Sequence, residues 1–176
     1  LNPQMLNLDR VESVAIEQLT RARNDGVETI VDCTTMDLGR DIALIERVSR
    51  RSGVKIISST GSHLYIPFAF MNMMFRWVPP MSPDDIASLW VREIEEGIEE
   101  TGIKAGIIKV ATNDPIRDPE ELMLRSAART HHRTGALITT HTPPTSRIGE
   151  EQIRILREEN VDLSKVYIGH VNSTLD

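Results

Sequence analysis

The sequence predicts an α/β fold in which short parallel strands alternate with single helices. Two observations predict it: five short apolar runs rich in β-branched residues recur along the chain, and amphipathic helical patterns lie between them. Strands that alternate with single helices form βαβ units and a parallel sheet. A repeat of about 30 residues per unit favours either a (β/α)8 barrel or a doubly wound sheet.

The five apolar runs are too short for helices, because a helix needs at least ten residues or so. Their β-branched content favours buried parallel strands. The predicted strands are residues 28–32 (ETIVD), 55–59 (KIISS), 106–110 (GIIKV), 137–140 (LITT) and 166–169 (VYIG).

The helical patterns place apolar residues on one face, and a glycine follows several of them. Asp37 is the expected cap of the helix that starts near Arg40, and Asp118 is the expected N-cap of the fourth helix, with a proline in its first turn. The predicted helices are Val11–Asn24, Asp41–Arg51, Asp84–Glu100, Pro119–Arg133 and Gly149–Glu159.

The chain length separates the two candidate architectures. No Gly-x-Gly-x-x-Gly motif follows any strand, which weakens the dinucleotide-binding version of a doubly wound sheet. A complete barrel needs about 250 residues, whereas this chain of 176 residues supplies five strands. The barrel interpretation therefore predicts a single partial barrel domain over residues 1–176.

Composition excludes some partners. The net charge of −6 gives no sign of a nucleic-acid partner, and mixed charges such as Arg92, Glu93 and Glu96 indicate a solvated helix face. No apolar run is long enough to span a bilayer and no signal peptide is visible, so we expect no membrane contact and a cytoplasmic location.

The chain begins with Leu1, so its true N-terminus is expected upstream. The one cysteine, Cys33, cannot form an internal disulfide and is expected to be a buried, inert thiol.

One connection is longer than the others. Residues 60–82 contain three prolines and many aromatic and methionine side chains, and they follow the carboxyl end of a strand, where barrel active sites lie. Long loops in compact domains are often lids or binding loops. Two interpretations stay open: an apolar wall of a substrate site, or a small satellite core or subunit contact, as in a homodimer.

The last three predicted strands carry polar side chains at or near their carboxyl ends. Lys109, His141 and His170 follow one another at intervals of 32 and 29 residues, one βα unit each. Neighbouring parallel strands lie about 4.8 Å apart, so these side chains can converge at one mouth. Two imidazoles and a lysine suit a metal site.

An unmodified lysine cannot serve there, because an ammonium group has no lone pair to give a metal. Lys109 fits a metal site when it is deprotonated or converted by carbon dioxide to a carbamate. A neutral Lys109 could instead form a Schiff base with a carbonyl substrate. The pattern alone leaves both alternatives open.

Four segments in order, IVDCTTMDLGRDI, GIEETGIKAGIIKVAT, TTHT and IGH, resemble the phosphotriesterase family of the amidohydrolase superfamily, including its lactonase members. The likeness extends over essentially the whole chain. It implies a (β/α)8 TIM barrel of which about strands 2 to 6 are present, with the first strand and the C-terminal strands outside this chain. It also implies a binuclear centre of two divalent metal ions, commonly zinc.

The same resemblance assigns residues. Lys109 matches the family's N6-carboxylysine, which bridges both metals, and His141 and His170 match two histidines that ligate one metal. His63 and Tyr65 match substrate-contacting positions, although His63 stands where tyrosine or tryptophan is usual. Two further histidines, His131 and His132, match nothing catalytic and are expected to be a polar helix end.

The implied function is hydrolysis of an ester, lactone or phosphotriester (organophosphate) bond by a metal-bridging hydroxide. Two alternatives remain: a Schiff-base lyase or aldolase using Lys109, and a catalytically inactive part of a barrel. A His-x-His pair and an eighth-strand aspartate of the family have no counterpart in residues 1–176, and Ser173 replaces an aspartate in GHVNSTLD. Serine supplies no fixed negative charge, so the choice between a phosphotriester and a lactone stays open.

Overall fold

The computed structural model describes residues 7–63, 81–144 and 146–171. These form two compact units: residues up to 32 together with 41–58, and residues 33–40 together with 59 onward. Most of the long predicted loop, including Tyr65, and the segment with Ser173 lie outside the described residues. No helix in the described part of the chain is long and apolar enough to cross a bilayer. The cytoplasmic location stays a prediction.

The first unit contains two helices, α1 (Leu8–Asn24) and α2 (Ile42–Ser52), strand β1 (Thr29–Asp32) and the first half of strand β2 (Lys55–Ser62). β1 runs parallel to the first half of β2. Glu12 of α1 accepts hydrogen bonds from Arg47 and Arg51 at 2.9 and 3.0 Å, which ties the two helices together.

The start of α2 corrects one prediction. Asp41, not Asp37, is its N-cap, and the Asp41 carboxylate accepts a hydrogen bond from the Leu44 amide at 2.9 Å. Asp37 lies instead in a short 3-10 helix, Met36–Leu38. The sequence-based prediction was wrong because two aspartates precede this helix. The N-cap is the residue directly before the first helical residue, and that residue is Asp41.

The second unit contains the rest of β2 and strands β3 (Ile107–Ala111), β4 (Leu137–His141) and β5 (Val166–Ile168). All pairs are parallel, and the strands pair in chain order. A doubly wound sheet reverses its strand order at a switch point, whereas sequential parallel order is that of a (β/α)8 barrel. The predicted α/β class and partial barrel are confirmed.

Three helices accompany these strands: α3 (Pro83–Glu95), α4 (Asp118–Thr134) and α5 (Gly149–Glu158). Their apolar faces and one face of the sheet form a single core. Its fully buried members are Ile108, Val110, Leu124, Ala127, Ala128, Ile138, Ile155 and Leu156. The other sheet face carries Lys109, because side chains alternate along a strand.

The end of α3 and the start of α4 differ from the predictions. α3 ends at Glu95 rather than Glu100. The helix stops there because the Ile98 amide donates a hydrogen bond to the Ile103 carbonyl at 2.8 Å instead of continuing the helical pattern, and Ile98 is fully buried. Asp118 is the first helical residue of α4, and Arg117 occupies the cap position.

An ion pair in the second unit also departs from the predicted solvated face. The Arg40 guanidinium is buried and contacts the Glu93 carboxylate at 2.6 and 3.0 Å. It also donates to the Ser59 carbonyl at 2.7 Å. Glu93 is therefore a structural partner of a buried cation, and its removal would leave that charge uncompensated.

Candidate active site

Lys109 lies near the middle of the sheet of the second unit. It is 7% exposed and pairs with Gly61 of β2 on one side and Thr139 of β4 on the other. Gly61 adopts φ +108°, and a Cβ atom there would lie 1.9 Å from the Lys109 carbonyl oxygen. A glycine is needed at this point because β2 approaches the backbone of Lys109 too closely for any side chain.

The surroundings of Lys109 change its ionisation. Burial lowers the pKa of the Lys109 ammonium, and the electrostatic effect of the neighbouring Cys33 acts in the opposite direction. Cys33 directly follows β1 and is only partly buried, whereas the sequence analysis predicted a buried thiol. The lowered pKa favours the neutral amine, which is the form that can react with carbon dioxide or with a carbonyl group.

Three histidines gather at the carboxyl ends of these strands. His141 is the last residue of β4, and its ring centroid lies 4.6 Å from that of His170, with the planes at 73°. His63, which follows β2, lies 5.1 Å from His141 between ring centroids. His170 adopts φ +64°, an uncommon left-handed backbone for a residue other than glycine. Of the predicted residues, the structure thus brings His63, Lys109, His141 and His170 into one cluster.

Two of the three imidazoles, those of His141 and His63, have a lowered pKa. Burial, followed by the neighbouring His170, His63 and Lys109, lowers the pKa of His141 to about 4. Burial and the Lys109 charge also lower the pKa of His63, while Asp37 opposes this shift. A neutral imidazole offers a lone pair, so His141 is available as a metal ligand at neutral pH.

The low pKa of His141 predicts an acid-sensitive fold for the chain freed of metal by a chelator. The unfolded pKa of histidine is 6.5 and the folded value is about 4, so the unfolded state binds more protons between these values. Stability is therefore expected to fall as the pH drops from about 6.5 to about 4. Urea unfolding at several pH values measures this. His141→Asn should flatten the profile, whereas the control His132→Asn should not; an unchanged profile in His141→Asn would contradict the assignment.

Asp37 has a role that the sequence did not reveal. Its carboxylate accepts hydrogen bonds from the His63 amide at 3.1 and 3.0 Å and from the Thr35 hydroxyl at 2.6 Å. The Nδ1 atom of His63 is buried and has no hydrogen-bond partner among the residues that the structure describes. Asp37 thus fixes the backbone of a histidine whose ring nitrogen is left available to the site.

His141 and His170 alone provide too few donors for a metal centre. Across residues 7–63, 81–144 and 146–171, no three His, Cys, Asp or Glu side chains are arranged to hold one ion. His141 and His170 therefore need a further donor, and Lys109 on the neighbouring strand can supply one as a carbamate. Its burial and lowered pKa suit that modification, so the chemistry of the residues fits a metal centre.

The remaining histidines are structural, as predicted. His131 and His132 lie in the last turn of α4. The His131 ring bonds the Ala136 carbonyl at 2.8 Å, and the His132 ring bonds the Glu159 carbonyl at 2.7 Å. Both rings are engaged in joining α4 to the segments around it.

The fold and the cluster together define a part of an α/β barrel with nitrogen side chains at the carboxyl ends of its strands, where (β/α)8 enzymes carry their chemistry. The chain belongs to the phosphotriesterase family, whose model matches residues 2–176. The resemblance noted in the sequence is therefore confirmed.

Several curated relatives are similar to this chain. An aryldialkylphosphatase of Saccharolobus solfataricus is 40% identical over 175 residues, which are 98% of this chain and 53% of the relative. A phosphotriesterase homology protein of Mycobacterium tuberculosis is 43% identical over 171 residues (96% and 52%). An N-acetyltaurine hydrolase of Dictyostelium discoideum is 31% identical over 175 residues (99% and 45%). The chain spans about half the length of these relatives.

Proposed function

We propose that the full protein is a metal-dependent hydrolase that cleaves an ester, lactone or phosphotriester bond. The observation that carries this proposal is the buried Lys109, beside two imidazoles whose rings lie 4.6 Å apart at the strand ends. A buried lysine is costly unless it is neutral or modified. A modified Lys109 next to two imidazoles supplies ligands of the kind that zinc prefers.

Each residue has a distinct part in this proposal. When bound, two divalent cations, zinc in our proposal, would polarise the scissile C=O or P=O group and lower the pKa of water. Lys109, as N6-carboxylysine, would hold both ions, because a carbamate is anionic and has two oxygens that share its charge. His141 and His170 would hold one ion through one ring nitrogen each.

His63 would contact the substrate. Its buried Nδ1 is available for a hydrogen bond, and Asp37 holds its backbone in place. An imidazole at this position can donate or accept a hydrogen bond, depending on its tautomer, and so favours a substrate with a polar group there. Tyr65, outside the described residues, stays a proposed second contact.

The names of the relatives support the substrate class without fixing the substrate. They include an aryldialkylphosphatase and an N-acetyltaurine hydrolase. A small-molecule ester, lactone or organophosphate is consistent with the first name, and the second name gives N-acetyltaurine as the substrate of that relative. The homodimer remains a prediction.

A Schiff-base reaction is the second candidate, because the lowered pKa of Lys109 would suit it too. It leaves the close pair His141 and His170 without a shared role, whereas a metal centre uses both. Borohydride treatment with a carbonyl substrate separates the two. A covalent adduct on Lys109 is expected only for the Schiff-base reaction, and we expect none.

Chelation tests the proposed function. The full chain is assayed with a phosphotriester, a lactone and an aryl ester before and after treatment with a chelator. We expect hydrolysis to be lost after chelation and to return when zinc or another divalent ion is added, because the ions activate both water and substrate. Hydrolysis that persists at full rate in the chelated protein would contradict the proposal.

A further inference from the structure

A buried hydrogen-bond network joins the ends of three strands directly beneath the proposed metal ligands. It consists of Thr112 after β3, the carbonyl of His141 and the side chain of Thr142 at the end of β4, Gln152 of α5, and Gly169 after β5. We call this the strand-end network. Its three polar side chains are at most 2% exposed: Thr112, Thr142 and Gln152.

Gln152 joins the first two strand ends. Its Nε2 group donates to the Thr112 hydroxyl at 2.7 Å and to the His141 carbonyl at 3.0 Å. The Thr112 amide also donates to that carbonyl at 3.3 Å. The backbone of His141 is thus fixed from the neighbouring strand and from a helix, and the position of its ring follows from that backbone.

Thr142 joins the second and third strand ends. Its hydroxyl donates to the Gly169 carbonyl at 2.6 Å, and the Gly169 amide donates to the Thr140 carbonyl at 3.2 Å. A Cβ atom on Gly169 would lie 2.4 Å from the Thr140 carbonyl oxygen, so the two backbones are in close contact. The next residue is His170, whose ring faces His141.

The chemistry of Gln152 indicates that its two N–H donors matter. Its Oε1 atom is buried and accepts no hydrogen bond from any residue between 7 and 171 that the structure describes. A methionine or leucine would fill a fully buried site without an unpaired oxygen. Packing alone therefore does not explain why an amide side chain occupies this position. The hydrogen bond that holds the His141 carbonyl does explain it.

We infer that Gln152 and Thr142 are positioning residues that hold His141 and His170 at the separation that lets both bind one metal ion. The inference rests on the proposed function, because it presumes that these two histidines are metal ligands. Neither residue contacts the metal or the substrate. Each acts through the backbone that carries a ligand, and loss of such outer partners typically weakens metal binding.

The test measures zinc affinity of the full chain by competition with a chromophoric chelator, independently of hydrolysis. Gln152→Met removes both donors at similar volume, and Thr142→Val removes the hydroxyl with the same shape. Each is expected to weaken zinc binding about tenfold or more. Thr142→Ser keeps the hydroxyl and should restore the affinity of the parent protein.

Thr130→Val is the structural control. The Thr130 hydroxyl is also fully buried and donates to the Ser126 carbonyl at 2.8 Å, but within α4 and away from the strand ends. This variant should lower the melting temperature without changing zinc affinity. Should Gln152→Met fail to fold, the Thr142→Val and Thr142→Ser pair alone decides the question.

The outcomes separate the two claims. If the parent protein binds zinc and Thr142→Val binds it equally well, the positioning role is wrong and the proposed function stands. If Thr142→Val is weaker and Thr142→Ser is not, the positioning role is supported. If the parent protein binds no zinc, both the positioning role and the metal-dependent function are overturned.

Discussion

Replacing Lys109 with methionine is expected to abolish hydrolysis and, at the same time, to stabilise the metal-free protein. The loss of activity should be at least about 1,000-fold, because the group proposed to hold both metal ions is removed. The gain in stability follows from burial: a polar amine that is 7% exposed is replaced by an apolar side chain of similar length. Removing such a group should stabilise the fold by about 1–3 kcal/mol.

The stability difference between Lys109→Met and the parent protein should depend on pH. The folded pKa of Lys109 lies below the ordinary value of 10.5, so the folded state loses the proton before the unfolded state does. The parent protein therefore gains stability as the pH rises from the folded pKa towards 10.5, and the advantage of Lys109→Met should shrink over that window.

Unfolding by urea in the presence of a chelator, at pH 7 and at higher pH, measures the effect. Lys104→Met is the matched control, because Lys104 is exposed and lies in the segment before β3. It should change neither activity nor stability appreciably. A Lys109→Met protein that is less stable than the parent when metal-free would show that Lys109 is a structural cation.

Replacing Gly61 with alanine is expected to have the largest effect on folding. The added Cβ would lie 1.9 Å from the Lys109 carbonyl oxygen, a backbone atom that cannot move aside, and Gly61 also has φ +108°. Backbone strain and overpacking each cost about 1–3 kcal/mol, so the free energy of unfolding should fall by about 3 kcal/mol or more.

Gly135→Ala separates the two contributions. Gly135 also has a left-handed backbone, at φ +71°, but a Cβ there would meet no atom within 4 Å. The free energy of unfolding of Gly135→Ala should fall by only about 1 kcal/mol, the cost of backbone strain. Urea unfolding of both variants measures the difference. Equal losses would mean that β2 does not approach Lys109 as closely as the structure shows.

Most of the second unit's architecture could be predicted because its signals are local. The β-branched runs that became β3, β4 and β5 were found within one or two residues of their bounds. β2 was predicted to end at Ser59 but continues to Ser62. Its last residues are polar or glycine, so no propensity marks them as a strand; pairing with β3 makes them one.

Some residues of the candidate site could also be predicted from the sequence, and others could not. Lys109, His141 and His170 could be found because the βα repeat brings them to successive strand ends. The roles of Asp37 and Gln152 could not, because each depends on a partner far along the chain: Asp37 bonds His63, 26 residues away, and Gln152 bonds Thr112, 40 residues away. An aspartate before a helix has an obvious local interpretation as a cap, and that interpretation concealed its contact with His63.

The proposed function depends on the conversion of Lys109 to a carbamate in a metal centre. The most direct measurement is carbon-13 NMR of the full chain after exposure to labelled bicarbonate and zinc, with Lys109→Met as the control. We predict one carbamate resonance in the parent protein and none in the variant. A parent protein that hydrolyses its substrate with no such resonance, or a resonance that survives in Lys109→Met, would contradict the account.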